Sequence, residues 1–459
     1  MKIKQLALPL APAIGILSGW VAYVQGMDPL AAKTLMVAVW TAIWWALEAI
    51  PIPVASLVPL ALLPTLGVLT DKQVAMAYGN KLVLLLMGGF LLSKAMEKSG
   101  VHRRLALMMV NVCGGNGGKS LVLGFMIASA VLSMWISNTA TTLMLLPLAI
   151  AILDGSESRK MDIPLLLGIA YAANVGGLGT PIGTPPNLVF IEQYKAVSGN
   201  EYTFSIWMTR ALPVVVIMVP LIWLWLTRSL HGRETLKLPD VGKWRVEEKR
   251  TLIVFAFTAL AWATRKEPYG GWSAALDVSG SNDACVAFIS VILLFSLPSG
   301  EKNGEKLLDW KTACTIPWGI LILFGGGIAI ATAFKTSGLS ETIATGLTGL
   351  QDIPPYFLIL LICLAVTFLT EMTSNTATSI LLMPILGAAA VATNLDPAIL
   401  MLPAVYSASC AFMLPVATAP NAVVFGTGKF STTRMMSEGF VLNLIGACVI
   451  SILCFFMLR

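Results

Sequence analysis

Charge is scarce in this chain. Lys, Arg, Asp and Glu make up 12% of its 459 residues, against roughly 25% in a soluble domain. Hydrophobic residues make up 57%, and the mean hydropathy is +0.81. A polar surface this thin excludes a water-soluble globule and points to a chain solvated mostly by lipid. Histidine is nearly absent, with only His102 and His231, so a histidine metal centre is excluded. The cysteines Cys113, Cys285, Cys314, Cys363, Cys410, Cys448 and Cys454 are scattered, mostly within apolar runs, and no two have metal-type spacing. They read as small core hydrophobes rather than disulfides or ligands. No nucleophile–base pair or metal cluster stands at membrane depth, which argues against an integral-membrane hydrolase. The net charge of +6 reports topology and implies no nucleic-acid partner.

Long apolar runs are what the chain has instead. Leu6–Val24 is 19 residues without a charge, enough at 1.5 Å per residue to cross a hydrocarbon core of about 30 Å. It exceeds the apolar region of a signal peptide and many similar runs follow, so it reads as a retained first span. Eleven crossings are expected, near 6–25, 31–50, 52–69, 82–98, 163–191, 205–227, 251–264, 284–298, 317–334, 398–427 and 438–458. Two apolar stretches, 120–153 and 353–394, remain. The first is uncharged from Ser120 to Leu153, is broken at Ser137-Asn138-Thr139, and has Lys119 before it and Arg159 and Lys160 after it. Basic residues at both ends place both ends on the cytoplasmic face. Each half is about 17 residues, roughly 25 Å of helix and short for a crossing, so a re-entrant hairpin fits better than two spans. The second stretch has the same form around Ser374-Asn375-Thr376, but Asp352 and Asp396 flank it, so it should enter from the other side. On this topology 21 of the 30 Lys and Arg residues fall in cytoplasmic loops. That bias predicts a cytoplasmic amino terminus and, after eleven crossings, an outside carboxyl terminus.

The chain also repeats itself. Leu86-Met87-Gly88-Gly89-Phe90 returns as Leu323-Phe324-Gly325-Gly326-Gly327, and Ser137-Asn138-Thr139-Ala140-Thr141 returns unchanged as Ser374-Asn375-Thr376-Ala377-Thr378, both 237 residues later. Gly183-Thr184-Pro185-Pro186-Asn187 returns as Ala417-Thr418-Ala419-Pro420-Asn421 after 234. Three motifs in one order at nearly one spacing mark an internal duplication. Residues 1–29 then form a first span, 30–230 one repeat, 231–250 a cytoplasmic linker and 251–459 the second repeat. Five crossings per repeat is an odd number, so the second repeat is inverted relative to the first, a carrier architecture with its site where the repeats meet. The expected fold is an all-α polytopic membrane protein of about eleven transmembrane helices plus two re-entrant helical hairpins.

A lone Ser-Asn-Thr in a membrane helix is ordinary interhelical glue. Its duplication at both hairpin tips favours a site. A helix that starts inside the membrane offers free N–H groups and a positive dipole end to an anion. Ser137 with Asn138, and Ser374 with Asn375, are good N-cap residues for the arms that follow, and their side-chain oxygens suit a hard cation. The spans 163–191 and 397–428 carry so many Gly and Pro residues that each should unwind in its middle, which is tolerable only where backbone lines a cavity. Neither motif contains Lys or Arg. A buried anion would therefore need helix termini and bound cations to offset its charge, which favours cation symport. Glu48 and Glu371 are the conspicuous acidic residues at membrane depth. For both, a capping or interfacial role is favoured over proton carriage.

At these residues the sequence resembles the divalent anion/sodium symporter family, the dicarboxylate and citrate carriers that include the INDY-type proteins. Met134 to Thr141 and Cys410 to Thr418 look particularly like bacterial INDY-type members. The resemblance implies one Na⁺ site from Ser137 and Asn138 side chains with carbonyls of Ser133 and Gly183. It implies a second from Asn375 with Thr370, Thr373 and Ala417. Substrate carboxylates would meet Asn138, Thr139, Asn375 and Thr376, with Thr184, Thr418 and Ala419 lining the same pocket. It further implies a homodimer in the cell inner membrane, an elevator motion, and sodium-coupled uptake of C4-dicarboxylates or related tricarboxylates. A carboxylate exchanger and a citrate carrier are the alternatives, sulfate is a weaker substrate candidate, and an anion channel is disfavoured. Ala419 stands where the first repeat has Pro185, which leaves a roomier wall and an open question of substrate size.

Overall fold

The computed structural model describes residues 2–113, 117–154, 159–230, 242–266, 270–278, 280–300, 304–346 and 353–458. Most of the expected linker, with His231, and the flanking Asp352 lie outside the described residues. Among the described residues the regular elements are helices, apart from one isolated bridge between Pro298 and Lys306. Eight helices among the described residues are long and apolar enough to cross a membrane, by length and composition.

The chain starts with two antiparallel helices, α1 (Lys2–Val24) and α2 (Pro29–Leu47). Gly15 and Gly19 let them touch, since a Cβ on either would sit 2.8 Å from a carbonyl of α2. Pro51 and Pro53 forbid continuation past Leu47. Glu48 caps α2 at φ 46°, is exposed, and pairs with Lys4 at 2.9 Å. Glu48 thus sits at a helix end, in the capping role favoured for it from the sequence. The expected crossing 52–69 is two pieces, α3 (Ile52–Ala55) and α4 (Leu57–Thr65). They meet at Ser56, whose buried hydroxyl accepts from Trp45 Nε1 at 2.9 Å.

Next come α5 (Asp71–Tyr78), α6 (Lys81–Ser99) and α7 (Val101–Cys113). A hairpin of α8 (Gly118–Ser133) and α9 (Asn138–Asp154) follows. After it, α10 (Asp162–Gly176) and α11 (Pro185–Ser198) are separated by a short 3-10 turn and the non-helical residues 180–184. Helix α12 (Phe204–Leu226) closes this half. The remainder begins with α13 (Val246–Ala263), α14 (Gly271–Ala275), α15 (Asp283–Ser296), α16 (Trp310–Ala313), α17 (Trp318–Thr336) and α18 (Leu339–Gly346). A second hairpin, α19 (Pro355–Thr370) and α20 (Asn375–Ala392), precedes α21 (Pro397–Ala408) and α22 (Ala419–Phe425), which flank the non-helical residues 409–418. Helix α23 (Thr432–Met457) ends the chain.

Packing sorts these helices into two groups. One comprises α8 to α12 with α19 to α23, built around α10, which is buried along all but one of its residues. The other comprises α1 to α6 with α13, α15 and α17. The short helices α7 and α18 lie against α8 and α20 and join the groups. Both are amphipathic rather than continuously apolar, which is why hydropathy runs do not contain them.

Candidate functional site

The two hairpin tips share one pattern of serine caps and hydroxyl-to-asparagine bonds. Helix α9 starts at Asn138, and Ser137 Oγ accepts from the Ala140 amide at 3.2 Å. Helix α20 starts at Asn375, and Ser374 Oγ accepts from the Ala377 amide at 3.1 Å. The serines are thus the caps, and each asparagine is the first helical residue, freed from capping. Behind them, Ser133 Oγ donates to Asn138 Oδ1 at 2.5 Å, and Thr370 Oγ1 donates to Asn375 Oδ1 at 2.7 Å. Thr370 Oγ1 also lies 2.9 Å from the Ala408 carbonyl. A hydroxyl has one proton to give, so this cluster holds more oxygen lone pairs than protons, a donor set that suits a hard cation.

The two breaks are matched as closely. Asn187 Nδ2 donates to the carbonyls of Gly177 and Thr180 at 2.9 and 2.8 Å. Asn421 Nδ2 donates to those of Ala411 and Leu414 at 3.0 and 3.1 Å. Both asparagines are fully buried, and each ties two carbonyls of an unwound segment that no helix bond satisfies. Their positions in the repeated Thr-x-Pro-Asn pattern were the available signal.

Tips and breaks meet around one cavity of about 230 Å³. Asn138, Thr139 and Ser137 line it from one tip and Asn375, Thr376 and Ser374 from the other. Gly183 and Thr184 line it from the first break, and Ala417, Thr418 and Ala419 from the second. Ser133, Thr370 and Thr373 do not reach its surface. The first two stand directly behind the asparagines, while Thr373 Oγ1 shares a 2.5 Å bond with Thr378 Oγ1. The cavity lining contains no charged side chain. Gly89, Phe90 and Ser93 of α6, Pro317 at the cap of α17 and Ile320 within it are also in the wall, so both helix groups contribute.

Two contributors, Asn174 and Tyr171, carried no sequence signal, whereas Glu371 stood out in the sequence as an acidic residue at membrane depth with a capping role. Asn174 lines the cavity and donates to Thr418 Oγ1 at 3.0 Å and Asn421 Oδ1 at 3.3 Å. Tyr171, one turn earlier on α10, donates to the Phe412 carbonyl at 2.6 Å. These two bind the first half to the break of the second. Glu371, buried, accepts from the amides of Phe412, Met413 and Leu414 at 2.7, 2.8 and 2.9 Å and from Asn443 Nδ2 at 2.8 Å. It is a capping carboxylate.

Known proteins share this architecture. The citrate transporter family matches residues 42–399. The sodium-dependent dicarboxylate transporter SdcS of Staphylococcus saprophyticus is 39% identical over 98% of this chain and 91% of its own length. The SdcS of Staphylococcus aureus is 38% identical over 99% and 91%. In fold, the chain is similar to the crystal structure of the Alcanivorax borkumensis YdaH transporter, with TM-score 0.58, 16% identity and coverage of 86% and 87%. It is also similar to Neisseria gonorrhoeae MtrF, with TM-score 0.57, 14% identity and coverage of 85% and 83%. With its duplicated tips, paired breaks and near full-length identity to such carriers, the chain belongs to the divalent anion/sodium symporter family, as a polytopic membrane transporter and not an enzyme.

Proposed function

We propose that this carrier takes C4-dicarboxylates such as succinate, malate or fumarate into the cell together with Na⁺. The observation that carries the reading is the uncharged cavity into which both tips and both breaks feed. A dianion there has no Lys or Arg to meet. Its carboxylates face Asn138 with Thr139 at one tip and Asn375 with Thr376 at the other, between Thr184, Thr418 and Ala419. Helix starts and co-bound cations offset its charge. One Na⁺ is held by Ser133, Ser137, Asn138 and Gly183, and another by Thr370, Thr373, Asn375 and Ala417. The named activity of the SdcS relatives supports both ligand classes.

The two helix groups supply the moving parts. The group containing the site slides as one body against the other, elevator-fashion, with α7 and α18 as its arms. The halves are inverted repeats, the amino terminus is cytoplasmic, the carboxyl terminus is outside, and the chain pairs as a homodimer through the second group. The test is uptake of labelled succinate into proteoliposomes with and without an inward sodium gradient. Uptake that ignores the gradient, or exchange only against internal dicarboxylate, overturns symport. The citrate transporter match and the open wall at Ala419 favour citrate as a second reading. Stronger competition by citrate than by succinate would select it.

A further inference from the structure

The two tips differ in formal charge. At the 237-residue offset that superposes the signatures, Glu371 corresponds to Met134. Glu371 is 3% exposed. All four of its partners are neutral N–H donors, three on Oε1 and one on Oε2. Arg228 and Arg434 pair with Glu438 instead, and no described Lys or Arg forms an ion pair with Glu371. A buried carboxylate without a cationic partner is costly even when its hydrogen bonds are filled. The next residue toward the amino terminus is Thr370, whose hydroxyl touches both Asn375 Oδ1 and the Ala408 carbonyl. The backbone that carries the carboxylate therefore runs directly into the oxygen-rich cluster of the second tip, and the segment whose amides it holds starts just after Ala408. The first tip has only the Met134 carbonyl there, which accepts from Thr180 Oγ1.

We propose that Glu371 is a positioning residue whose buried charge makes the second tip the tighter of the two cation sites, the one that fills first in the empty carrier. This rests on the sodium-coupled reading above. A hard cation at the Thr370–Asn375–Ala408 cluster gives the carboxylate its missing counter-charge. The amides of 412–414 hold the carboxylate, and with it the second break, in register for that cation. The first tip, with no formal charge behind it, gains its cation mainly once substrate brings negative charge into the cavity. Binding is then ordered: cation at the second tip, then substrate with the other cation.

The test is a sodium titration of purified full-length protein, read by intrinsic tryptophan fluorescence without substrate and by calorimetric succinate binding at each sodium concentration. Wild type must show sodium-dependent succinate binding; if it does not, the functional reading itself has failed. Given that dependence, Glu371→Gln, which keeps the size but removes the charge, should raise the sodium concentration for half-saturation without substrate about tenfold or more. Succinate affinity should return toward wild type at saturating sodium. Asn443→Ala removes one donor but keeps the charge, so its sodium curve should stay within about threefold of wild type or move lower. An unshifted sodium curve in folded Glu371→Gln overturns the proposal. So does an equal upward shift in Asn443→Ala, which would assign the effect to the hydrogen-bonded scaffold alone. If Glu371→Gln does not fold, Glu371→Asp and Asn443→Ala decide it: both retain the charge, and a tenfold weakening of sodium binding in both overturns it.

Discussion

Replacing Asn138 or Asn375 by Ala should weaken sodium and substrate binding together, but at unequal structural cost. Asn138→Ala leaves Ser133 Oγ, a fully buried atom, without its one acceptor. An orphaned buried hydroxyl costs about 1–3 kcal/mol. In Asn375→Ala, Thr370 Oγ1 still has the Ala408 carbonyl at 2.9 Å, so the corresponding loss is at most about 1 kcal/mol. Thermal stability in sodium-free detergent should therefore fall clearly for Asn138→Ala and little for Asn375→Ala. Each variant also removes one oxygen from a proposed cation site. A loss of about 1.4–2.8 kcal/mol there is a ten- to hundredfold rise in the sodium needed for half-saturation. Because linkage is reciprocal, succinate affinity at fixed, limiting sodium must fall as well, and raising sodium should partly restore it. Lys72→Ala, an exposed change on α5, should do neither. The assay is calorimetric succinate binding across a sodium titration. Wild-type sodium curves in both Asn variants, with only succinate affinity altered, would refute the reasoning and leave the tips as carboxylate clamps without a cation.

A Cβ on Gly177 would lie 2.8 Å from Asn138 Oδ1, so Gly177→Ala should weaken sodium dependence through the first tip. Wild-type uptake at limiting sodium would contradict that geometry. Glu201 bonds Lys81 of α6 at 2.6 Å and Lys266 at 2.5 Å and so ties the two helix groups together. In a background free of native cysteines, a Lys81→Cys/Glu201→Cys pair bridged by a cleavable bifunctional thiol reagent should block transport until the bridge is cleaved. A Lys98→Cys/Asp309→Cys pair joins α6 to α16, which packs on it, and should not, so equal transport by both would exclude relative motion of the groups. Burial alone would raise the Glu201 carboxyl, but the Lys266 and Lys81 ammonium groups outweigh it and hold it near about 2. Its pairs are therefore lost only as pH falls through that value, and the thermal stability of the wild-type protein should carry no Glu201 titration between about pH 5 and 8. For orientation, a single cysteine at Lys243 should resist an impermeant thiol reagent applied to intact cells, and labelling from outside would invert the topology.

The sequence made legible what repeats or what is uniformly apolar. Ser137-Asn138-Thr139 and Ser374-Asn375-Thr376 stood out because a duplicated motif needs no partner to be noticed. Run lengths located the long helices for the same reason, since crossing a membrane is a property of one segment. The amphipathic helices α5, α7 and α18 escaped because their polar faces interrupt any hydropathy run. The break at Ser56 escaped because Pro53 lies in the first turn of α3, where it is tolerated and gives no clear stop.

What stayed hidden is of another kind. Tyr171 and Asn174 act across 241 and 244 residues on the Phe412 carbonyl and the Thr418 hydroxyl. Glu371 acts on amides 41 to 43 residues away and on Asn443. None of these bonds repeats at the offset of 237, because the second repeat uses a carboxylate and the opposite half where the first uses the Thr180 hydroxyl on the Met134 carbonyl. Duplication makes two similar sites. Making them unequal requires departures from the repeat, and such departures are what a search for repeats discards. The positions where aligned halves disagree in charge while their backbones agree are therefore where a carrier with two-fold ancestry distinguishes its first cation from its second. Glu371 opposite Met134 is the most strongly buried such disagreement beside either tip.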